Sequence, residues 1–392
     1  MKRFIKYGTG RVRQVILATG TFVSIAFSLF PSSAAQPEST ARLIEQLGSA
    51  VFREREVASE KLARRGEAVL PDLRRAALSS SDLEIRRRAA FLIEEIDHRL
   101  CRPVRRFGTA IWCLRYSPDG RKAAASGAWG TVWVWDVDTG KDVALLKHEQ
   151  SVSSIALDPD GHRLLTGSHD GIMRLWDLSS QKPSRSFLRH PKHITGVAFS
   201  PDGKQALSCS DDESVRLWDV DSGEELRCDY VHRFAVSSAD FSPDGKTIVS
   251  TGWDARARIR AVDSGEELCA FEGHNGGLDC AVFAPDGKRV LTGSVDHSIR
   301  LWDARTGKEL RCLRGHQQPV SHVAFTSHGR RAVSVSTDGT ARLWDLESGK
   351  ELRCQHKQKK AVYALALSPN GQQALFAGEE GIVWLWQLPQ EE

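Results

Sequence analysis

Beyond residue 100, large apolar residues alternate with small ones in short runs that stop at a turn: Ile155-Ala156-Leu157, Val197-Ala198-Phe199, Val323-Ala324-Phe325 and Leu365-Ala366-Leu367. A second run follows each turn, as in Arg163-Leu164-Leu165-Thr166, Arg289-Val290-Leu291-Thr292 and Arg331-Ala332-Val333-Ser334. Short apolar runs bounded by Gly and Pro at even spacing predict strands of an all-β fold. The turn Ser117-Pro118-Asp119-Gly120 recurs at Asp158, Ser200, Ser242, Ala284 and, with Asn370, at Ser368. Pro presets φ at a turn's second position, and Gly relieves its exit. Before this region the period changes. Leu43, Ile44 and Leu47, then Val57, Ala58 and Leu62, then Ala89, Leu92, Ile93 and Ile96 recur at helical spacing. Gly66 is placed to close one helix, Pro71 to open the next, and Ser81 and Asp82 to cap the one that begins near Leu83.

A slower beat runs over the strand pattern. Trp135, Trp176, Trp218, Arg260, Trp302, Trp344 and Trp386 fall every 41–42 residues, and Asp follows at 136, 177, 219, 303 and 345. Four short strands with their turns use about 40 to 45 residues, the content of one propeller blade. The expectation is a mainly β protein, a seven-bladed β-propeller preceded by a small α-helical domain.

These residues resemble the WD-repeat β-propellers over residues 101–390. The resemblance implies a hydrogen-bond network in each blade: His before the innermost strand, Ser or Thr on the second, Asp in the next turn, Trp on the third. Indole N–H only donates, carboxylate only accepts, and hydroxyl and neutral imidazole do both, so a directed chain can be satisfied throughout. Four repeats carry all four types: His148, Thr166, Asp170, Trp176; His190, Ser208, Asp212, Trp218; His274, Thr292, Asp296, Trp302; and His316, Ser334, Asp338, Trp344. The fourth repeat keeps His232, Ser250 and Asp254 but has Arg260 for the Trp. The first has Phe107, Ala125 and Trp129, and the last Gln358, Phe376 and Glu380, at the other three positions. The resemblance also implies that the last blade takes its outermost strand from the start of the propeller, about Cys101 to Phe107, which removes free edges. Blades one and seven are then expected to rely on apolar packing. Residues 39–100 resemble, less closely, a HEAT-type helical repeat, which would dock on the propeller or on a partner because one such unit buries little alone.

Charge and the first 35 residues qualify this picture. The formal net charge of +4 includes Lys2, Arg3, Lys6, Arg11 and Arg13 with no acid in residues 1–35, so the remainder carries about −1. A basic field for nucleic acid is therefore unsupported. Residues 1–35 combine that basic stretch, an apolar run from Val15 to Phe30, and Ser33-Ala34-Ala35 before Gln36, the layout of a secretory signal peptide. The rival is a membrane anchor over residues 15–30, though the run is short of the roughly 20 residues a spanning helix needs. Export to the periplasm, cell surface or medium is expected, with membrane contact only if the leader stays uncleaved. Arg86, Arg87 and Arg88 lie near Glu94 and Glu95, which predicts a solvated face.

The candidate chemistry mostly dissolves in register. Cys228, Cys312 and Cys354 follow Glu-Leu-Arg at equivalent places, and Cys113 and Cys280 share another; equivalent positions in separate blades lie too far apart for the roughly 4.4–6.8 Å Cα separation of a disulfide. Buried small residues are the expectation, although free thiols are unusual outside the cytoplasm. Asp138-Thr139-Gly140, Asp221-Ser222-Gly223 and Asp263-Ser264-Gly265 mimic an aspartic-protease triplet but fall where a blade must turn. Gly245-Lys246-Thr247 mimics a phosphate loop but has Asp240 where its first Gly belongs. With no Cys-x-x-Cys pair or His-Glu-x-x-His helix, no metal site, cofactor or catalytic residue is expected. Function should then live on surfaces. The resemblance implies partner contacts around the channel mouth, at Trp112, His193, Asp279 and Tyr363 where innermost strands begin and at His169, Asp211 and Trp253 in the turns. Trp112 and Tyr363 have a plainer role open to them, filling the seam between blades one and seven. The favoured reading is a non-catalytic scaffold for other proteins. The alternative is a propeller enzyme or a substrate-presenting subunit of a hydrolase complex, which a cluster of titrating groups at the channel mouth would favour.

Overall fold

The computed structural model describes residues 38–188, 190–356 and 358–390; residues 1–35, on which the signal-peptide and anchor readings rest, lie outside them. Helices α1 (Thr40–Gln46), α2 (Phe52–Arg65), α3 (Leu70–Ser79) and α4 (Leu83–Leu100) precede the sheets. Their stops and starts follow local chemistry. Gly66 ends α2 at φ +59°, Pro71 stands in the first turn of α3, and the Asp82 carboxylate caps α4 by accepting from the N–H groups of Glu84 and Ile85. Leu43, Leu47, Leu62, Leu73, Leu92 and Ile96 form their shared core. Within the Arg run, Arg88 pairs with Glu84 and Glu56 across α2 and α4.

Seven four-stranded antiparallel sheets make up the rest. β1 (Cys101–Arg106) continues directly from α4, and β2 (Ile111–Tyr116), β3 (Lys122–Gly127), β4 (Thr131–Asp136) and β5 (Asp142–Lys147) form blade one. The innermost strands of blades two to seven are Val152–Leu157, Ile194–Phe199, Val236–Phe241, Leu278–Phe283, Val320–Phe325 and Val362–Leu367. Blade seven is completed by β1, which pairs with Ile382–Gln387 in a register that sets Cys101 against Trp386 and Arg106 against Ile382. The ring is thus closed by its own first strand, leaving α4 docked beside the closure. The Glu67 carboxylate, between α2 and α3, pairs with Arg353 on the outer strand of blade six.

The closure seam is apolar. Ile111, Leu114 and Trp135 of blade one pack with Ala364, Leu375 and Val383 of blade seven. Phe107 lies 4.3 Å, centroid to centroid, from Trp133, with the Arg105 guanidinium 5.2 Å above its ring. Because Phe376 replaces the hydroxyl residue, the buried Trp386 indole N–H has no partner. Blade junctions elsewhere are also fixed at the Pro-Asp-Gly turns. Gly203, at φ +69°, comes so near the preceding blade that a Cβ would sit 3.1 Å from Pro159.

Every innermost strand shares an irregularity. Its pairing shifts register between the first and third residue, at Ile111/Cys113, Val152/Ser154, Ile194/Gly196, Val236/Ser238, Leu278/Cys280, Val320/His322 and Val362/Ala364. A bulge leaves one residue unopposed and re-aims its side chain. The residue released is the second of the strand, which in three blades is Trp112, Asp279 or Tyr363.

Candidate functional site

Three blades complete the four-residue network. In blade three, Trp218 Nε1 donates to Ser208 Oγ at 2.9 Å, Ser208 meets His190 Nε2 at 2.7 Å, and His190 Nδ1 meets Asp212 at 2.8 Å. Blade five repeats this with Trp302, Thr292, His274 and Asp296 at 2.8, 2.7 and 2.9 Å, and blade six with Trp344, Ser334, His316 and Asp338 at the same distances. Burial acts to raise the Asp212 carboxyl, but hydrogen bonds from His190 and Ser214 prevail and hold it at about 2. Asp296 and Asp338 are lowered the same way. Blade four keeps His232, Ser250 and Asp254 in contact, while Arg260 turns outward to Glu267 and the Gly265 carbonyl.

Blade two corrects the sequence expectation. Trp176 Nε1 does reach Thr166 Oγ1 at 3.0 Å, but His148 bonds neither Thr166 nor Asp170. Instead Arg174 pairs with Asp170 at 2.7 Å and meets His148 Nδ1 at 3.3 Å, and His148 Nε2 is buried without a partner. Burial, and then the Arg174 charge, push this imidazole down to about 4. The cause lies one strand further out. In blades three, five and six the equivalent Arg216, Arg300 and Arg342 are held by Glu225, Glu309 and Glu351. Those glutamates stand opposite Trp218, Trp302 and Trp344, whereas Pro183 stands opposite Trp176. With no outer carboxylate, the guanidinium turns inward and displaces the histidine from its aspartate.

The face that carries the network's His and Asp loops also carries the seven candidate contact residues. They gather as pairs across blade boundaries. Trp112 and Tyr363 stack with centroids 5.4 Å apart and planes at 10°, and Trp112 is 42% exposed. They therefore bridge the seam and still present an aromatic surface. His169 and His193 stack at 4.5 Å and 11°, and His193 Nδ1 lies 3.5 Å from Asp211. Burial, then the neighbouring His193, lowers the basicity of His169. Trp253, 55% exposed, lies against Gly277 of blade five, where a Cβ would come within 3.1 Å of the indole. Asp279 is two residues further on, its carboxyl pushed up to about 6 by burial.

The bulge explains why Asp279 stands apart. At the same position Ser153, Thr195 and Ser237 donate to the carbonyls of Ile194, Val236 and Leu278 on the next blade. An ionised carboxylate has no proton to donate. Two residues of this face escaped the sequence reading as contacts. Trp129, 83% exposed, occupies the Asp turn position of blade one at φ +73°, a conformation unusual for a bulky residue. Phe234, 59% exposed, stands where Thr109, Gln150, Lys192, Gly276, Gln318 and Lys360 occupy the other loops. An apolar side chain at a repeat position otherwise polar or glycine was the available signal.

The false motifs are turns. The Asp136 and Asp219 carboxylates accept the backbone N–H of Thr139 and Ser222, and Gly140, Gly223 and Gly265 take φ of +68°, +80° and +74°. Cys113, Cys209, Cys228, Cys269, Cys280, Cys312 and Cys354 form no disulfide. Among the described residues no group of His, Cys, Asp or Glu is arranged to hold a metal ion, and no helix is long and apolar enough to cross a membrane.

The family model for "WD domain, G-beta repeat" matches residues 101–136, 140–177, 181–219, 223–260, 265–303, 307–345 and 349–387. The chain belongs to the WD40 repeat family. The first match begins at β1, so the model traverses the closure as the structure does. Among curated proteins this WD40 chain is similar to COMPASS component SWD1 of Saccharomyces cerevisiae, 37% identical over 97 residues, 24% of this chain and 21% of that protein. It is similar to serine-threonine kinase receptor-associated protein of Gallus gallus, 37% identical over 70 residues, 18% and 20% of the two chains. WD repeat-containing protein 1 of Bos taurus is 31% identical over 84 residues, 20% and 14% of the two. The aligned stretches thus span about a fifth or less of these relatives' own length.

Proposed function

We propose that the protein is a non-catalytic scaffold that docks other proteins on the face bearing Trp112, Trp253 and Asp279. The observation that carries this reading is the set of paired side chains at blade boundaries on one face. Trp112 with Tyr363 and His169 with His193 stack across neighbouring blades, and Trp253 lies against Gly277 of the next blade, two residues before Asp279. Exposed Trp and Tyr on a rigid frame supply anchor area at little conformational cost, and such residues dominate binding energy at interfaces. The relatives' printed names, a COMPASS component and a receptor-associated protein, fit a role in assemblies. The helical segment, a HEAT-like unit on our reading, offers a second contact surface beside the closure.

The enzyme alternative would rest on titrating groups inside the channel, Arg115, Asp240 and His322. No hydrogen bond joins one of these to another, so nothing there is set to hand a proton between partners. The docking reading is tested by affinity capture from the native cell with wild type, Trp253→Ala/Asp279→Ser, and the opposite-face control Lys246→Ala. Specific partners should be lost from the double variant and retained by the control. Retention of every partner by a folded double variant would remove this face. We further propose export with cleavage before Gln36, for which the layout of residues 1–35 is the support. Mass spectrometry of the mature N-terminus, with cell fractionation, should find a chain beginning near Gln36 outside the cytoplasm; an intact Met1 would overturn cleavage.

A further inference from the structure

Inside the propeller, below the docking face, a cavity of about 200 Å³ is walled by innermost strands of several blades. Most of that wall is small or apolar. The fifth residue of the strand is Ala156, Ala198, Val282, Ala324 or Ala366 in five blades, but Arg115 in blade one and Asp240 in blade four. The third residue is Cys113, Ser154, Gly196, Ser238, Cys280 or Ala364, but His322 in blade six. Arg115, Tyr116, Asp240 and His322 all line the same cavity.

These groups do not satisfy one another. Blades one and four are as far apart as a ring of seven allows, and no ion pair joins Arg115 to Asp240 among the described residues. The guanidinium, with five N–H donors, makes one hydrogen bond, to the Leu114 carbonyl at 2.9 Å. The Asp240 carboxylate accepts only the N–H of its neighbour Phe241, while the Tyr116 ring packs into the blade one/seven seam with its hydroxyl closed off from the cavity. His322 Nδ1 lies 3.1 Å from the Val323 carbonyl, which fixes the proton on Nδ1 and leaves Nε2 an acceptor. Burial first, then Arg115, pushes this imidazole down to about 3 and so keeps it neutral. Burial pushes the Asp240 carboxyl up to about 6 despite the Arg115 charge, as expected of an acid without a close counter-ion. One wall therefore offers donors and positive charge, and the other offers acceptors and negative charge.

We propose that the channel cavity binds a small zwitterion of the α-amino acid class, its carboxylate held by Arg115 and its ammonium by Asp240 and His322 Nε2. The space suits such a ligand. At roughly 30 Å³ per water, about 200 Å³ admits a molecule of about six heavy atoms. Guanidinium and carboxylate are the groups that bind these two ends most strongly when removed from bulk water. This site is independent of the docking face, because none of its three residues belongs to the exposed pairs above.

Isothermal titration of the mature chain with glycine and L-serine is the direct test, with acetate and methylammonium as single-charge controls. Saturable binding of the amino acids, absent with either control, is expected. Arg115→Gln and Asp240→Asn should each weaken it tenfold or more, whereas Trp253→Ala should leave it unchanged. If either charge variant fails to fold by circular dichroism, His322→Gln provides the same readout with a milder change. The proposal is overturned if no amino acid binds, if acetate binds as well as glycine, or if binding survives all the folded channel variants.

Discussion

Thr292→Val and Thr166→Val are the same chemical change at equivalent positions of two blades, yet they should differ in cost. Thr292 Oγ1 accepts from the Trp302 indole at 2.8 Å and, with His274 bound through Nδ1 to Asp296, donates to His274 Nε2 at 2.7 Å. Valine keeps the shape and removes both bonds, leaving two buried polar groups unpaired. Each costs about 1–3 kcal/mol, so Thr292→Val should destabilise by about 2–6 kcal/mol. In blade two Thr166 receives the Trp176 indole at 3.0 Å, but His148 is engaged with Arg174 and its Nε2 is unpartnered already. Thr166→Val orphans only the indole, about 1–3 kcal/mol. At about 2–4 °C per kcal/mol for a domain of this size, the blade-five variant should melt several degrees below the blade-two variant. Differential scanning calorimetry of wild type and both variants at pH 7 is the assay. Equal losses would refute the account in which Arg174 has displaced His148.

The same account predicts that Pro183→Glu, which supplies the carboxylate that holds Arg216, Arg300 and Arg342 in other blades, raises the melting temperature; a fall would count against it. His148 is buried with its folded value near 4, below its unfolded value near 6.5, so the unfolded chain binds more protons in between and stability falls as pH drops through that window. His148→Phe should flatten the pH dependence of denaturation from about pH 6.5 to 4 relative to wild type, and an unchanged slope would contradict the burial seen here. The carboxyls of Asp212 and Asp254, held near 2, contribute stability that is present above ordinary carboxylate values and lost as pH falls towards 2. Removing residues 101–107 exposes the edge of Ile382–Gln387 and takes Phe107 from the seam, so the melting temperature should drop sharply; an intact melting curve would exclude closure by β1.

Much of this molecule was legible because repetition and alternation are sequence properties. The 41–42 residue beat gave the blade count, and the Pro-Asp-Gly turns placed the strand pairs. Gly66, Pro71 and Asp82 marked helix boundaries because each acts on its own backbone. Phe107, Ala125 and Phe376, which break the polar network, correctly pointed to an apolar seam. The misreading of His148 has a different origin. His148, Thr166, Asp170 and Trp176 are all present at the right spacing, and the decision falls to Arg174 and to what faces it from the outer strand. A four-residue motif is necessary for the network but not sufficient: Arg174, with no outer carboxylate, takes Asp170 from the histidine, whereas Arg258, which also pairs with Glu267, shares Asp254 with His232.

The contact residues depend on a further level. The bulge at the start of each innermost strand is fixed by pairing between strands and leaves no residue signature, yet it decides which side chain is released at the channel mouth. Once it is known, the chemistry at that position divides the blades. Ser153, Thr195 and Ser237 use their hydroxyls to tie one blade to the next, and residues there are committed to the ring. Ser321 of blade six has the hydroxyl but is buried without a partner, whereas Trp112, Asp279 and Tyr363 replace the short hydroxyl with a stacked indole, a carboxylate and a stacked phenol, so they are the exchanged members of the set. A docking face built this way borrows positions whose task in three of the blades is to tie one blade to the next, and the three blades that put a large or acidic side chain there exchange that tie for a contact.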